Sequence, residues 1–253
     1  MGVVIQAACG CDTGKIRKNN EDNFFFGKKY LEQENHGLEQ VLKSESRLGK
    51  GLLFAVLDGI GGENCGETAS FAAAQQMQQL RWKLQDQLIP VEDYIERAIL
   101  QLNDAVVKKQ KEMCTERMGT TLAGLFFTRR FVCVYNVGDS RAYRFRNGEL
   151  VQMSVDHVEK SAGRLHKKAP LTQYLGYGSE EMQLEPYITK ERIVRGDLYL
   201  VCSDGLTDML TDSEISKIII ENNDVSLCVQ KLIEAALEHG GRDNITAIIC
   251  RIL

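Results

Sequence analysis

Short apolar runs that stop on, or start from, an aspartate-containing turn recur along this chain, and they constrain its fold more than any other feature. Five segments have this form: Ile5 to Gly10, Leu52 to Leu57, Phe131 to Val137, Leu198 to Cys202, and Ile245 to Arg251. Each is rich in Val, Ile, Leu, Phe or Tyr and bounded by glycine or polar punctuation, which is the signature of a central strand in a packed sheet. Asp58, Asp204 and Asp243 stand at the ends of three of them, beside glycines that let main chain come close to a ligand.

Around these strands the pattern is helical. Glu67 to Leu88 and Val91 to Glu112 read as two long helices separated by Pro90, with apolar spacing at Tyr94, Ile95, Ala98, Leu102 and Val106. Thr211-Asp-Ser-Glu214 is a capping-box signature for a helix to about Ile220, and Val225 to His239 is a second amphipathic helix stopped by Gly240 and Gly241. Gly138-Asp-Ser140 reads as the turn of a hairpin joining Phe131–Val137 to Arg141–Phe145, and Asn147-Gly148 as the turn of a second one leading to Leu150–Met153. Residues 32 to 50 are polar without a clear apolar period and read as an extended hairpin connection between the first strands, with no function assigned. Strands grouped into sheets, with helix pairs set apart from them, imply an α+β fold: a four-layer α/β/β/α sandwich of two mainly antiparallel sheets. No repeat, linker or low-complexity tract marks a boundary, so 1–253 is expected to be a single catalytic domain.

Composition excludes several classes. At 43% hydrophobic and 26% charged over 253 residues, the chain can bury a sizeable core. A net charge of −4 gives no basic field for nucleic acid. No apolar run approaches the ~18 residues of a membrane span, and the start MGVVIQ fits neither a secretory leader nor a myristoylation motif, so a cytoplasmic location and no membrane partner are expected. The eight cysteines sit mostly in apolar stretches, as small hydrophobes, and a lone Cys9-x-Cys11 is a weak zinc signal. The four histidines have no ligand spacing and read as structural or surface residues.

An Asp-Gly turn alone is ordinary turn chemistry. Strand-end aspartates gathered on one rim, however, form a hard oxygen site suited to Mg²⁺ or Mn²⁺, and two such ions can clamp a displacement at phosphorus. Six ordered motifs point the same way: Arg17-Lys-Asn-Asn-Glu-Asp22-Asn23, Asp58-Gly-Ile-Gly-Gly62, Met118-Gly-Thr-Thr121, Gly138-Asp-Ser-Arg141, Ser203-Asp-Gly-Leu-Thr-Asp208 and Gly241-Arg-Asp-Asn-Ile-Thr246. Together they make the sequence resemble the type 2C metal-dependent serine/threonine protein phosphatases, in their bacterial form, over nearly the whole chain.

The resemblance implies that Asp58 bridges two Mn²⁺ or Mg²⁺ ions, that the Gly59 carbonyl completes one site, and that Asp204 and Asp243 hold the other. Asp22 then orients metal-bound water, Arg17 receives the phosphate, and Asp139 with Asp204 holds a third ion. A metal-bridging water would attack phosphorus without a covalent phosphoenzyme. Ile60 stands where many eukaryotic relatives carry histidine, which leaves the general acid open. The region 156–180 takes the place of the family's flap, and its Lys160, Arg164, Lys167 and Lys168 could receive an acidic phosphopeptide. Expected partners are phosphorylated proteins, with a serine/threonine kinase or its targets, and the expected state is a monomer. The alternatives are a phosphatase of small phosphorylated metabolites and a non-catalytic regulatory binding protein with the same fold.

Overall fold

The computed structural model describes residues 2–49, 51–61, 65–80, 89–115, 118–159, 169–177 and 183–253. The chain begins with β1 (Val4–Asp12), β2 (Asp22–Phe26), β3 (Leu42–Arg47) and β4 (Leu52–Gly61), then enters two helices, α1 (Gly66–Gln79) and α2 (Val91–Met113). There follow β5 (Met118–Thr120), β6 (Leu122–Phe127), β7 (Phe131–Val137), β8 (Arg141–Arg146), β9 (Glu149–Gln152), β10 (Tyr187–Arg192) and β11 (Leu198–Cys202). The chain closes with the short α3 (Asp204–Thr207), α4 (Asp212–Glu221), α5 (Val225–Glu238) and β12 (Ile245–Ile252).

One sheet has the order β3-β1-β12-β11-β8-β9, the other β10-β7-β6-β4-β2 with β5 paired to the end of β4. The paired strands run antiparallel. Strand β4 shows why two sheets stack. Its side chains alternate, so Phe54 and Val56 enter the core between the sheets while Leu53, Ala55 and Leu57 enter the core under α1 and α2. On the other sheet, Tyr199 and Val201 face inward and Leu198, Leu200 and Cys202 meet α4 and α5. Three apolar layers between four structural layers are the expected α/β/β/α sandwich.

The helix ends follow local chemistry. Both halves of the Thr211–Glu214 capping box are present, and the Asp224 carboxylate caps α5 by accepting from the amides of Ser226 and Leu227. Helix α1 is described to Gln79, so the part of the expected first helix at 81–88 lies outside the described residues. Asn147 (φ 53°) and Gly148 (φ 85°) supply the two left-handed positions of the β8–β9 turn, and that hairpin forms as read.

Three readings need correction. Strands β7 and β8 are not a hairpin: β7 pairs with β6 and β10 in one sheet, β8 with β11 and β9 in the other. The Gly138–Ser140 turn therefore carries the chain from one sheet to the other, fixed by Asn136 Nδ2 donating to the carbonyls of Gly138 and Val155. The polar stretch 32–50 contains β3, an edge strand half-buried on one side only, so its alternation is muted. Strands β2, β5, β6 and β10 are further strands that the apolar runs and turn signals of the sequence do not announce.

Candidate metal centre

Sheet register places the first two carboxylates. Asp22 begins β2 and lies directly across from Asp58 on β4, so both side chains leave the same face at the same height. Asp58 is held by its backbone: its amide donates to Thr121 Oγ1 at 3.0 Å, and its carbonyl accepts from Thr121 N at 2.8 Å and from Thr120 Oγ1 at 3.0 Å. Gly59 follows with its amide on the Glu21 carbonyl, 3.1 Å away. A Cβ there would stand 2.2 Å from the Gly66 carbonyl oxygen, so no side chain fits beside the Gly59 carbonyl.

The other sheet supplies Asp204 and Asp243. Asp204 opens α3 straight after β11, and Asp243 precedes β12, the strand paired with β11. These two turns touch: a Cβ on Gly205 would fall 1.9 Å from the Asn244 carbonyl oxygen and 3.5 Å from the Asp243 Cβ. The β8–β11 register, Cys202 opposite Arg141, also brings Asp139 to the end of the sheet where Asp204 lies. Asp139 and Asp204 are both buried, at 9% and 5% exposure.

Asn244 ties the two sheets together at this rim. Its Oδ1 accepts from the Glu21 amide at 2.8 Å, and its Nδ2 donates to the carbonyls of Thr13 and Asn19 at 2.8 and 3.0 Å. The Asp22 Oδ2 accepts from Ser203 Oγ and Thr246 Oγ1, each at 2.7 Å, so two hydroxyls from the far sheet aim it. Arg17 stands half-exposed on the loop after β1, its Nη2 2.7 Å from Asp243 Oδ2.

Charge is crowded here. Burial pushes the Glu21 carboxyl up to about 7; Arg17 opposes the rise, while Glu67, Asp243 and Asp22 add to it. The hydrogen bond that Arg17 donates to the Asp243 carboxylate raises the guanidinium pKa, with the charges of Glu21 and Asp58 contributing. Acidic side chains thus gather around Arg17, and hard anionic oxygens with a backbone carbonyl suit Mg²⁺ or Mn²⁺. Among the described residues no three His, Cys, Asp or Glu side chains already form a closed ligand set. The donor chemistry fits these cations all the same, because they are hard, oxygen-seeking ions that complete their shells with water.

Arg17, Asp22, Asp58, Gly59, Asp204 and Asp243 thus meet on one rim, with Asp139 at the end of the sheet beside them. Glu21, Ser203, Thr246 and Asn244 lie inside the quoted motifs, but nothing in their sequence spacing assigns them a task. Asp156, at the root of the expected flap, is gripped by Arg141 through Nε and Nη2 at 2.7 to 3.1 Å. His157 is tied to the turn that carries Asp139: its amide donates to the Gly138 carbonyl and its Nδ1 accepts from the Gly138 amide. Lys160, Arg164, Lys167 and Lys168 lie outside the described residues.

The family model for protein phosphatase 2C matches residues 43–238. This chain belongs to that family. It is 29% identical to the serine/threonine protein phosphatase PstP of Mycobacterium tuberculosis over 99% of its own length but 46% of that protein, so it spans about half of that relative. Against the crystal structure of the PstP catalytic domain in complex with two manganese ions, it gives a TM-score of 0.75 at 27% identity, covering 99% of each chain. The serine/threonine phosphatase Stp of Listeria monocytogenes is 28% identical over 94% of this chain and 92% of its own. PppA of Pseudomonas aeruginosa, described as a key regulatory component of T6SS, superposes with a TM-score of 0.78 at 27% identity, over 99% of this chain and 100% of that one. No helix among the described residues is long and apolar enough to cross a membrane.

Proposed function

We propose that this protein phosphatase 2C chain is a metal-dependent serine/threonine protein phosphatase that hydrolyses phosphoserine and phosphothreonine esters using two Mn²⁺ or Mg²⁺ ions, with room for a third. The observation that carries this is the meeting of Asp22, Asp58, Asp204, Asp243 and Arg17 on one rim, drawn from both sheets. Asp58 and the Gly59 carbonyl would hold one ion, and Asp58, Asp204 and Asp243 the other. Asp139 with Asp204 would hold the third. When bound, the ions supply an activated water and neutralise charge at phosphorus.

The protein's own side chains do the rest. Arg17 offers a planar fork to two phosphate oxygens once it swings from Asp243, and its half-exposed position leaves it free to do so. Asp22, aimed by Ser203 and Thr246, orients the attacking water by accepting its hydrogen bond. Asn244 keeps the Arg17 loop, Glu21 and Asp243 in register. We infer a monomer in the cytoplasm, acting as one catalytic unit on phosphorylated proteins, among them a serine/threonine kinase or its targets.

The test is a substrate panel under Mn²⁺, Mg²⁺ or EDTA: phosphoserine, phosphothreonine and phosphotyrosine peptides beside small phosphorylated metabolites. The expected result is metal-dependent release from the first two at rates well above the rest. Faster turnover of a metabolite would overturn the protein-substrate assignment, and binding of phosphopeptides without release would leave a regulatory binding protein.

A further inference from the structure

A cavity of about 570 Å³ opens beside the rim, on the other side of the Arg17–Asp22 loop. Its wall includes Asn19 and Asn20 from that loop, Gln33 and Glu34 from the connection to β3, Glu67 from the first turn of α1, and Met113 from the end of α2. Asn19 is two residues from Arg17, which at ~3.5 Å per residue puts the wall within about 7 Å of the arginine backbone. Helix α1 forms the shared partition. A Cβ on Gly66 would stand 2.8 Å from the Glu21 carboxyl, and Glu67 is the next residue.

The chemistry of the wall is that of a cation acceptor. Glu67 is 8% exposed, yet its Oε2 has no hydrogen-bond partner. That oxygen is closed off from the cavity, so a rotation of the Glu67 carboxyl has to bring it to an incoming donor, which then recovers the free energy that its unpaired burial costs. Glu34 lies exposed at the mouth. The Asn20 amide is engaged within the wall, donating to Cys11 Sγ and Asn35 Oδ1, and Gln33 donates to Thr68 Oγ1. Among the described lining residues there is no lysine or arginine, and His36, exposed, is the one side chain that can carry positive charge. Met113 offers apolar surface to a methylene stem.

We propose that this cavity takes a basic side chain of the phosphoprotein substrate, so that an arginine or lysine flanking the phosphorylated residue meets Glu67 and Glu34 while the phosphate meets Arg17. The proposal rests on the phosphatase reading and adds a sequence preference to it. Opposite charges on the two sides of one short loop would fix the register of an extended peptide as well as its affinity.

The test is a series of phosphothreonine peptides in which one arginine is stepped through each flanking position, with alanine and glutamate controls, assayed on wild type, Glu67→Gln and Glu34→Gln. One arginine register should raise kcat/KM about tenfold over alanine, mainly through KM, as expected of a single charge-assisted hydrogen bond. Both substitutions should erase that ratio. A purely structural Glu67 would lower the rate on every peptide equally and leave the ratio intact. The proposal is overturned if no register favours arginine, or if the preference survives both substitutions. If even the alanine peptides are not hydrolysed, the phosphatase reading falls first and this one with it.

Discussion

Arg17 and Asp243 lie 226 positions apart in the chain, and their side chains meet at 2.7 Å. The contact is between half-exposed groups, so it adds little stability. Its meaning is positional: the guanidinium is parked on the carboxylate beside which a phosphate would arrive.

Arg17→Ala should therefore leave the melting temperature nearly unchanged while lowering kcat/KM for a phosphopeptide on the order of a hundredfold. Arg17→Lys should restore only part of this, because an ammonium cannot meet two phosphate oxygens in a plane. Steady-state kinetics beside a thermal melt decides it, and full activity in the alanine variant would remove Arg17 from the site.

Ser203→Ala and Thr246→Ala each take one of the two 2.7 Å donors from Asp22. Loss of such an orienting partner weakens metal affinity or activity ~10–100-fold. Calorimetric Mn²⁺ titration of the folded variants should show the shift, and affinity equal to wild type with unchanged turnover would mean that Asp22 has no orienting task.

Asn244→Ala leaves the Glu21 amide and the carbonyls of Thr13 and Asn19 without their partner. At about 1 kcal/mol for each bond, the loss is roughly 2–3 kcal/mol, read as a lower urea midpoint. Gly205→Ala should cost a similar ~2–3 kcal/mol, since the added methyl runs into the Asn244 carbonyl.

His157 gives a pH dependence. Burial lowers its pKa below the ordinary 6.5, and the neutral ring accepts the Gly138 amide at Nδ1. The unfolded chain thus takes up a proton at higher pH than the folded one. The stability from this residue is complete above about 6.5 and declines as pH falls from there toward the lowered folded value. Wild type should lose more melting temperature between neutral and acidic buffer than His157→Asn, whose Oδ1 can accept the same bond without titrating. Equal losses would contradict this.

The sandwich was legible where strands are buried on both faces. Strands β4, β7, β11 and β12 are near-continuous apolar runs because each side chain finds a core above or below the sheet. The edge strands β3 (LKSESR) and β10 (YITKER) were not, because an edge presents one side to water and its composition reads as loop. The β7–β8 error has a different origin. A Gly-Asp-Ser turn has hairpin composition, and only the partners β11 and β6, distant in sequence, decide that the strands part.

The site was legible through its aspartates, since each stands where an apolar run stops. Its supporting residues were not. Ser203, Thr246 and Asn244 act by reaching from one sheet to the other, which no local pattern encodes. Glu21 neighbours Asp22 in the sequence, but its burial beside Gly66 and Arg17 is a product of how α1 meets the β1–β2 loop.

The central claim is that the carboxylates of the two sheets act together as one metal-dependent hydrolytic centre. The most direct measurement is phosphate release from a phosphothreonine peptide as Mn²⁺ is titrated, for wild type, Asp58→Asn and Asp204→Asn, with circular dichroism establishing that each variant is folded. The expected result is saturable, EDTA-reversible release by wild type and a loss of at least about a thousandfold in both folded variants. Release by wild type that persists in EDTA, or that survives in either variant, would contradict it.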